Sequence, residues 1–368
     1  LSAQSKVEIE TKWDLVKLGD VCHVLIGGTP SRAVHKYFNG ENLWVSISEM
    51  QGNTIFDTKE KITDEAIQNS NVKLIPKGTT LLSFKLSIGK TAIAGKDLYT
   101  NEAIAGLVPK NENVIDTFLF HLFSAQLLNL DTGNNAIGKS LNSKFLREEL
   151  KIPLPPLEVQ KKIVQECETV DLALQGAESQ IDVLKNQIRE LIDSLNTMPM
   201  QKLETLADNW DFKRKPITSN QRKAGIYPYY GASGIVDYVD SFILDDTVLL
   251  ISEDGANLKS RVTPIAFTAS GKIWVNNHAH ILKFSNINTH KIVEYYLNHI
   301  DLLEYITGMA QPKLSQVNMN RIMIPVPPLA EQEKIVEQIE ALEAQIAQAQ
   351  KVIDDAPQQK QAILQKYL

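Results

Sequence analysis

Two stretches of the chain place apolar residues at alternating steps of four and three. In the first, these are Ile163, Cys167, Val170, Leu174, Ala177, Ile181, Leu184, Ile188, Leu191 and Leu195. The same register returns 172 residues later as Ile335, Ile339, Leu342, Ile346, Ala349, Ile353, Ala356, Lys360, Ile363 and Tyr367, with only Lys360 polar. Steps of four and three are the a/d seam of a coiled coil. The pattern predicts a helix from about Leu157 to Asn196, roughly 60 Å long at 1.5 Å per residue, and a second long helix within residues 324–368. Pro155–Pro156 and Pro327–Pro328 suit a first helical turn, and Glu158 and Glu331 favour the positive end of the dipole. Pro357 is expected to kink or interrupt the second helix.

Elsewhere the apolar residues fall in short runs separated by Asn, Gly and Pro. Leu43–Ile47, Thr80–Phe84, Thr91–Ala94, Thr247–Ile251 and Lys272–Val275 read as strands, and 116–130 and 289–305 as short helices. Each long helix therefore follows an α+β block. The expected domains are residues 1–150, a spacer helix over 151–199, a second block over 200–323 and a second spacer helix over 324–368. If the helices pair antiparallel along their seams, the two blocks sit at opposite ends of the pair, related by an approximate twofold axis.

The blocks are copies. Ile152–Val164 (IPLPPLEVQKKIV) returns as Ile324–Val336 (IPVPPLAEQEKIV), identical at nine of thirteen positions. The approach to each copy also matches: Thr132-Gly133 then Lys139, and Thr307-Gly308 then Lys313. Val16-Lys17-Leu18 is echoed by Gln201-Lys202-Leu203.

Charge refines this picture. The 368 residues carry 38 Lys and Arg against 44 Asp and Glu, a net −6, which by itself argues weakly against a nucleic-acid partner. The excess lies in the helices: residues 151–199 carry 5 basic and 8 acidic side chains, and 324–368 carry 4 and 7, whereas the blocks are near balance. No apolar run approaches the ~20 residues of a membrane span. The two cysteines, Cys22 and Cys167, match no metal-ligand spacing and read as buried small residues in a reducing, cytoplasmic setting. A chain opening on Leu1 is read as a trimmed form or a piece of a longer polypeptide.

Catalytic motifs are missing. Gly89-Lys90-Thr91 lacks the earlier glycine of a phosphate loop, since that position is Phe84. His278 and His280 lack a third ligand at metal spacing. Asp245-Asp246 and Glu253-Asp254 read as solvated turns, because no lysine stands two residues after Glu253. No G-x-G-x-x-G, H-E-x-x-H or G-x-S-x-G occurs, and no Asp/Asn-Pro-Pro-Tyr segment of the kind that holds an amine for methylation.

A block, an I-P-x-P-P-L-x-x-Q-x-K-I-V segment opening a long heptad helix, and a second copy of both resemble the specificity subunit of type I restriction-modification systems. Further matches are Val16–Val21, Gly27–Ser31 before Leu43–Ile47, Thr100–Ile104, Tyr227–Ile235 and Glu253–Ala256. The resemblance covers almost the whole chain and implies two target-recognition domains, each reading one half of a split double-stranded DNA sequence. It further implies that the helices fix the gap and dock adenine-N6 methyltransferase subunits. S-adenosylmethionine, ATP and Mg would belong to partners, including a restriction subunit with translocase and nuclease. The chain itself would be non-catalytic, without metal or cofactor, possessing either a separate subunit's role or that of a specificity segment fused behind a methyltransferase.

A DNA reader needs phosphate contacts for register and side chains that reach base edges. Candidates in block one are Arg32, Lys36, Lys85, Lys90, Lys139, Ser140 and Asn142. Those in block two are Lys213, Arg214, Lys215, Tyr230, Ser233, Lys259, Arg261, Asn276, Asn277, Gln311 and Lys313, beside Arg222-Lys223. The competing readings are a two-headed protein-binding scaffold with a coiled-coil stalk, and then an enzyme.

Overall fold

The computed structural model describes residues 11–85, 87–125 and 142–368. The chain packs as two compact units, Leu1–Glu178 with Lys351–Leu368, and Ser179–Gln350. Both long helices, Leu157–Ser194 and Leu329–Tyr367, are shared between the units. The sequence pattern sets each helix apart as a segment of its own, whereas packing assigns each half of a helix to the unit whose core it covers.

In unit one, a five-stranded sheet has the order Cys22–Ile26, Ile104–Pro109, Thr80–Ser83, Thr91–Ala94, Thr54–Ile55. A three-stranded sheet has the order Glu60–Ile62, Asn42–Val45, Tyr99–Thr100, and Leu15–Lys17 pairs with Lys151–Pro153. In unit two, one four-stranded sheet runs Asp208–Asn209, Ala279–Lys283, Val248–Ser252, Ala266–Ala269. A second runs Gly234–Val239, Ala224–Gly231, Lys272–Val275, Leu244–Asp245, and Met200–Lys202 pairs with Met323–Pro325. The strands expected from sequence are present within a residue or two, except that Ile47 opens a 3₁₀ turn, Ile47–Glu49, held by a Ser46–Glu49 capping box. The short helices are Asp116–Ser124 and Ile287–His299, the latter capped at its N-terminus by Asn286. Ala125 is the C-cap of the first, and residues 126–130 lie outside the described residues.

The repeat extends to individual hydrogen bonds. Trp44 and Val45 pair in parallel with Tyr99 and Thr100, as Tyr229 and Tyr230 pair with Trp274 and Val275. Ser83 then faces Ile104, as Ser252 faces Ala279. The Leu18 amide donates to the Leu150 carbonyl at 2.8 Å and the Leu203 amide to the Ile322 carbonyl at 2.9 Å, so the echo between Val16–Leu18 and Gln201–Leu203 is a structural one.

The repeated glutamine of the proline motif has a structural role. Gln160 is fully buried; its side-chain amide donates to the carbonyls of Pro155 and Asn113, both at 2.8 Å, and accepts from the Ile115 amide at 2.9 Å. Gln332, 2% exposed, donates to the Pro327 carbonyl at 2.8 Å and accepts from the Thr289 hydroxyl at 2.8 Å. Each ties a helix start to the short helix of its own block.

All ten seam positions of each helix are buried or half-buried, Ile163, Val170, Leu174, Ile181, Leu184, Ile188, Ile335, Ile339, Leu342, Ile346 and Ile353 among them. Leu172 and Val183, off the seam, are 69% and 56% exposed. Within unit one, Ile163, Val164 and Cys167 share a core with Leu364 and Leu368. Within unit two, Ile192 and Leu195 share a core with Ile335, Val336 and Ile339. In each unit, therefore, an early part of one helix meets a late part of the other, which is antiparallel packing. Lys360, the polar seam residue, pairs with Asp171. The expectation that Pro357 interrupts the helix is not met: Leu329–Tyr367 runs through it as a single helix. Proline loses its own hydrogen bond to the carbonyl four residues back and crowds that carbonyl with its ring, a cost that packing on either side offsets here. Ala356 beside it is 2% exposed, and Leu364 and Leu368 anchor the following turns in the core.

Candidate nucleic-acid interface

In unit two, four separate segments are laced together by backbone hydrogen bonds. The Glu253 amide donates to the His278 carbonyl at 2.9 Å, Leu314 to Glu253 at 2.7 Å, and Gly255 to Pro312 at 3.0 Å. Thr307 and Lys313 exchange two backbone bonds of 2.8 Å, and the Lys259 ammonium reaches the Gly308 carbonyl at 3.4 Å. The surface so formed gathers Lys259, Asn277, Gln311 and Lys313, all exposed candidates from the sequence.

It also contains His278, which sequence reasoning set aside. The His278 side chain is 50% exposed, and its Nδ1 lies 2.9 Å from both carboxylate oxygens of Asp254. An i, i+2 histidine pair shows nothing of this, because the partner is 24 residues away.

Beneath this surface lies a buried ionic cluster. Arg214 pairs with Glu253 and with Asp211 at 3.2 Å, and Lys313 reaches Glu253 at 3.0 Å. His280 is 1% exposed, with Nδ1 2.6 Å from Asp211 and Nε2 2.8 Å from the Leu314 carbonyl. Burial pushes the Glu253 carboxyl upward, but hydrogen bonds from Arg214 and Lys313 and the charge of His280 hold it below the usual carboxylate range. Asp211 is lowered against the same burial by its bond to His280, by the Ile281 amide and by Arg214. The ligand atoms of Asp211, Glu253 and His280 fall within 4.8 Å of one another, a spacing that would suit a cation. Here the protein's own Arg214 supplies the positive charge. Glu253 is thus a buried ion-pair partner, correcting its reading as a solvated turn.

Several other candidates are committed internally. Arg214 is 17% exposed at its side chain. Arg261, with φ of 50°, donates to the carbonyls of Leu297 and Ile300 at 3.0 and 2.7 Å, closing the C-terminus of Ile287–His299. Asn276 is 5% exposed and caps the His278 amide at 2.7 Å. Asn142, although exposed, accepts the Phe145 amide at 2.8 Å. Each of the four thus spends hydrogen-bonding capacity inside the protein, on a carboxylate, on carbonyls or on backbone amides, and of the four Asn142 is the one that stays exposed. Lys213 lies 3.3 Å from the centre of the Trp210 ring, and Tyr230 is half-buried and stacked on Phe267 at 6.0 Å. Lys215 and Ser233 are exposed, the latter between strands Ala224–Gly231 and Gly234–Val239.

In unit one, Thr29 donates to Glu102, which this bond and its own backbone amide lower against burial, assisted by the charges of Lys85 and Arg32. Arg32 is held by Glu60, one of its two bonds measuring 2.8 Å, and lies 4.1 Å from the Phe38 ring centre. Lys36 pairs with Glu65 at 2.7 Å, and Lys90 is exposed in the turn after Thr80–Ser83. Lys139 and Ser140 lie outside the described residues. Thr29, Glu102, Arg32 and Lys85 therefore form one polar neighbourhood; Glu102 was quoted in a sequence motif but not singled out.

Two copies of a mixed sheet-and-helix block, each followed by a seam helix, one gathering basic and amide side chains and the other basic and carboxylate side chains, define a duplicated recognition protein. The model of the type I restriction modification DNA specificity domain matches residues 10–185 and 201–355, almost the entire chain, and the chain belongs to that family, with two target-recognition domains. The type I restriction enzyme specificity subunit S.HindORF215P of Haemophilus influenzae is 33% identical over 147 residues, 40% of this chain and only 37% of that protein. The MjaIX specificity subunit of Methanocaldococcus jannaschii is 24% identical over 375 residues, 88% of this chain and 85% of that one. The S subunit of a type I restriction-modification system from M. genitalium has the same fold, with a TM-score of 0.59 over 100% of this chain and 99% of that one at 15% identity. Among the described residues no helix is long and apolar enough to cross a membrane.

Proposed function

We propose that each target-recognition domain reads one half of a bipartite double-stranded DNA sequence, while the long helices set the gap and dock adenine-N6 methyltransferase subunits. The observation that carries this reading is the duplicated frame: two blocks with matching hydrogen-bond patterns, each placing charged or amide side chains on its loops. Lys259 and Lys313 suit phosphate, and Asn277 and Gln311 suit adenine edges. The acidic helices suit protein docking, where attraction to DNA serves no purpose. Methylation with S-adenosylmethionine, and ATP-driven translocation and cleavage with Mg, are assigned to partner subunits in the cytoplasm, including a restriction subunit. This chain contributes recognition without catalysis.

One weak half-site reader gains affinity from its tether to a second, because the second contact becomes intramolecular. The deciding experiment maps methylated adenines in DNA exposed to the chain with its methyltransferase partner. A split motif in which exchange of residues 1–150 for a relative's alters one half alone is the expected result; alteration of both halves, or neither, refutes the reading. A sequence-independent gel shift favours the scaffold alternative.

A further inference from the structure

The internal repeat allows the two domains to be compared residue by residue. In unit one the Asn101 amide donates to the Val45 carbonyl at 3.1 Å, and the Asn101 side chain accepts the Ala103 amide at 3.0 Å. In unit two the Asn276 amide donates to the Tyr230 carbonyl at 3.1 Å, and its side chain accepts the His278 amide at 2.7 Å. The next element matches too: Phe84 donates to the Ala103 carbonyl at 3.0 Å and Glu253 to the His278 carbonyl at 2.9 Å. Lys85 therefore corresponds to Asp254, Glu102 to Asn277 and Ala103 to His278. Even the supporting carbonyl is shared. Gly28 donates to Thr100 at 2.8 Å and Lys215 to Val275 at 3.1 Å, and the carbonyls of Gly28 and Lys215 each accept an indole N–H, from Trp44 at 3.0 Å and Trp274 at 2.6 Å.

The backbone frame is common and pinned, but the groups it displays differ in charge and hydrogen-bonding character. Unit one shows an ammonium and a carboxylate; unit two shows an amide and an imidazole with a carboxylate behind it. Two readers that share one frame can distinguish different sequences through what that frame displays. We propose that Lys85 and Glu102 in unit one, and Asn277 and His278 steadied by Asp254 in unit two, are the specificity-determining side chains that contact base edges. This rests on the half-site reading above.

The chemistry suits that role. Lysine donates to guanine O6 and N7, glutamate accepts from the cytosine amine, and asparagine pairs with adenine. In the neutral tautomer whose Nδ1–H donates to Asp254, the His278 ring offers Nε2 as an acceptor for an exocyclic base amine. Thr29 fixes Glu102 as Asp254 fixes His278, so both sets are held in place before DNA arrives.

The test uses the chain with its methyltransferase partner and sequences methylated adenines for Lys85→Ala, Glu102→Ala, Asn277→Ala and His278→Ala. The first two should relax one half-site only and the last two the other only, with discrimination at one or two positions falling roughly ten- to a hundredfold. Lys259→Ala, a phosphate-contact control, should weaken binding to all sequences and leave the motif unchanged. If an alanine variant loses its thermal transition, Glu102→Gln and His278→Asn decide in its place. An unchanged motif in all four variants, or uniform weakening on every sequence, overturns the proposal. If instead exchange of residues 1–150 leaves both half-sites as they were, it is the half-site reading that has failed.

Discussion

At the scale of single residues, the fate of a polar side chain is decided by partners far along the chain. Arg214, Arg261, Lys259 and Lys313 are all basic in sequence and all find acceptors far along the chain, yet the Arg214 side chain is 17% exposed and that of Lys313 53%. No local pattern announces such pairing, and so the sequence identifies basic loops without revealing which charges remain outward. The seam, by contrast, is legible because helical period is local. Gln160 lies between these cases: its repetition marks it out, while its three partners emerge only from the fold. Gln160→Ala should cost about 1–3 kcal/mol, read as a lower urea midpoint, because buried groups lose their partners.

Burial also sets acid sensitivity. His121 and His290 are held down to about 4, chiefly by burial, and are neutral in the folded chain at neutral pH. Between about 4 and the ordinary 6.5, the unfolded chain binds protons that the folded chain does not. Their contribution is therefore complete above that window and disappears as pH falls through it. Asp116, pushed up to about 6 by burial, works in the opposite sense, costing stability as pH rises towards that value. Urea midpoints should rise with pH across the window, and more steeply in Asp116→Asn. Cys22 and Cys167, both raised to about 12 with burial as the main cause, should resist alkylation until the protein is unfolded.

At the scale of elements, the long helices combine a regular seam with two local irregularities. Leu184 is 5% exposed, and Leu184→Asp would bury a charge without a partner. A loss of several kcal/mol is expected, measured by chemical denaturation. Pro357 and Lys360 both line a cleft of about 1260 Å³ in unit one, together with His121, Asp171 and Leu174. The seam period singles out Lys360 as its break, and proline chemistry singles out Pro357; the helix runs on through Pro357 because its neighbours are anchored on the core. The β-blocks were legible as a class and in their strands, whereas sheet order was not, since parallel pairs such as Trp44–Tyr99 join segments separated by other strands.

At the scale of the whole molecule, the units are built from different kinds of sequence. Unit two is continuous, Ser179–Gln350, while unit one is completed by Lys351–Leu368. Leu364 and Leu368 enter its core, the Lys12 amide donates to the Leu368 carbonyl at 2.7 Å, and the Trp13 indole to the Tyr367 carbonyl at 2.7 Å. Removing residues 351–368 should destabilise unit one and spare unit two, as hydrogen exchange would reveal; equal loss of protection in both would contradict this division. Under the proposed function, inserting one heptad into each long helix should lengthen the unread gap in the methylated motif and leave both half-sites unchanged.

The interrupted composition of unit one bears on synthesis. During translation, chains generally mature from the N-terminus onward. Here residues 351–368 must emerge before unit one can seal, so unit two, although made after most of unit one, is the first of the two that can reach completion. Until then, the nascent first lobe keeps an oily gap where Leu364 and Leu368 will sit, a temporary vulnerability for chaperones to cover.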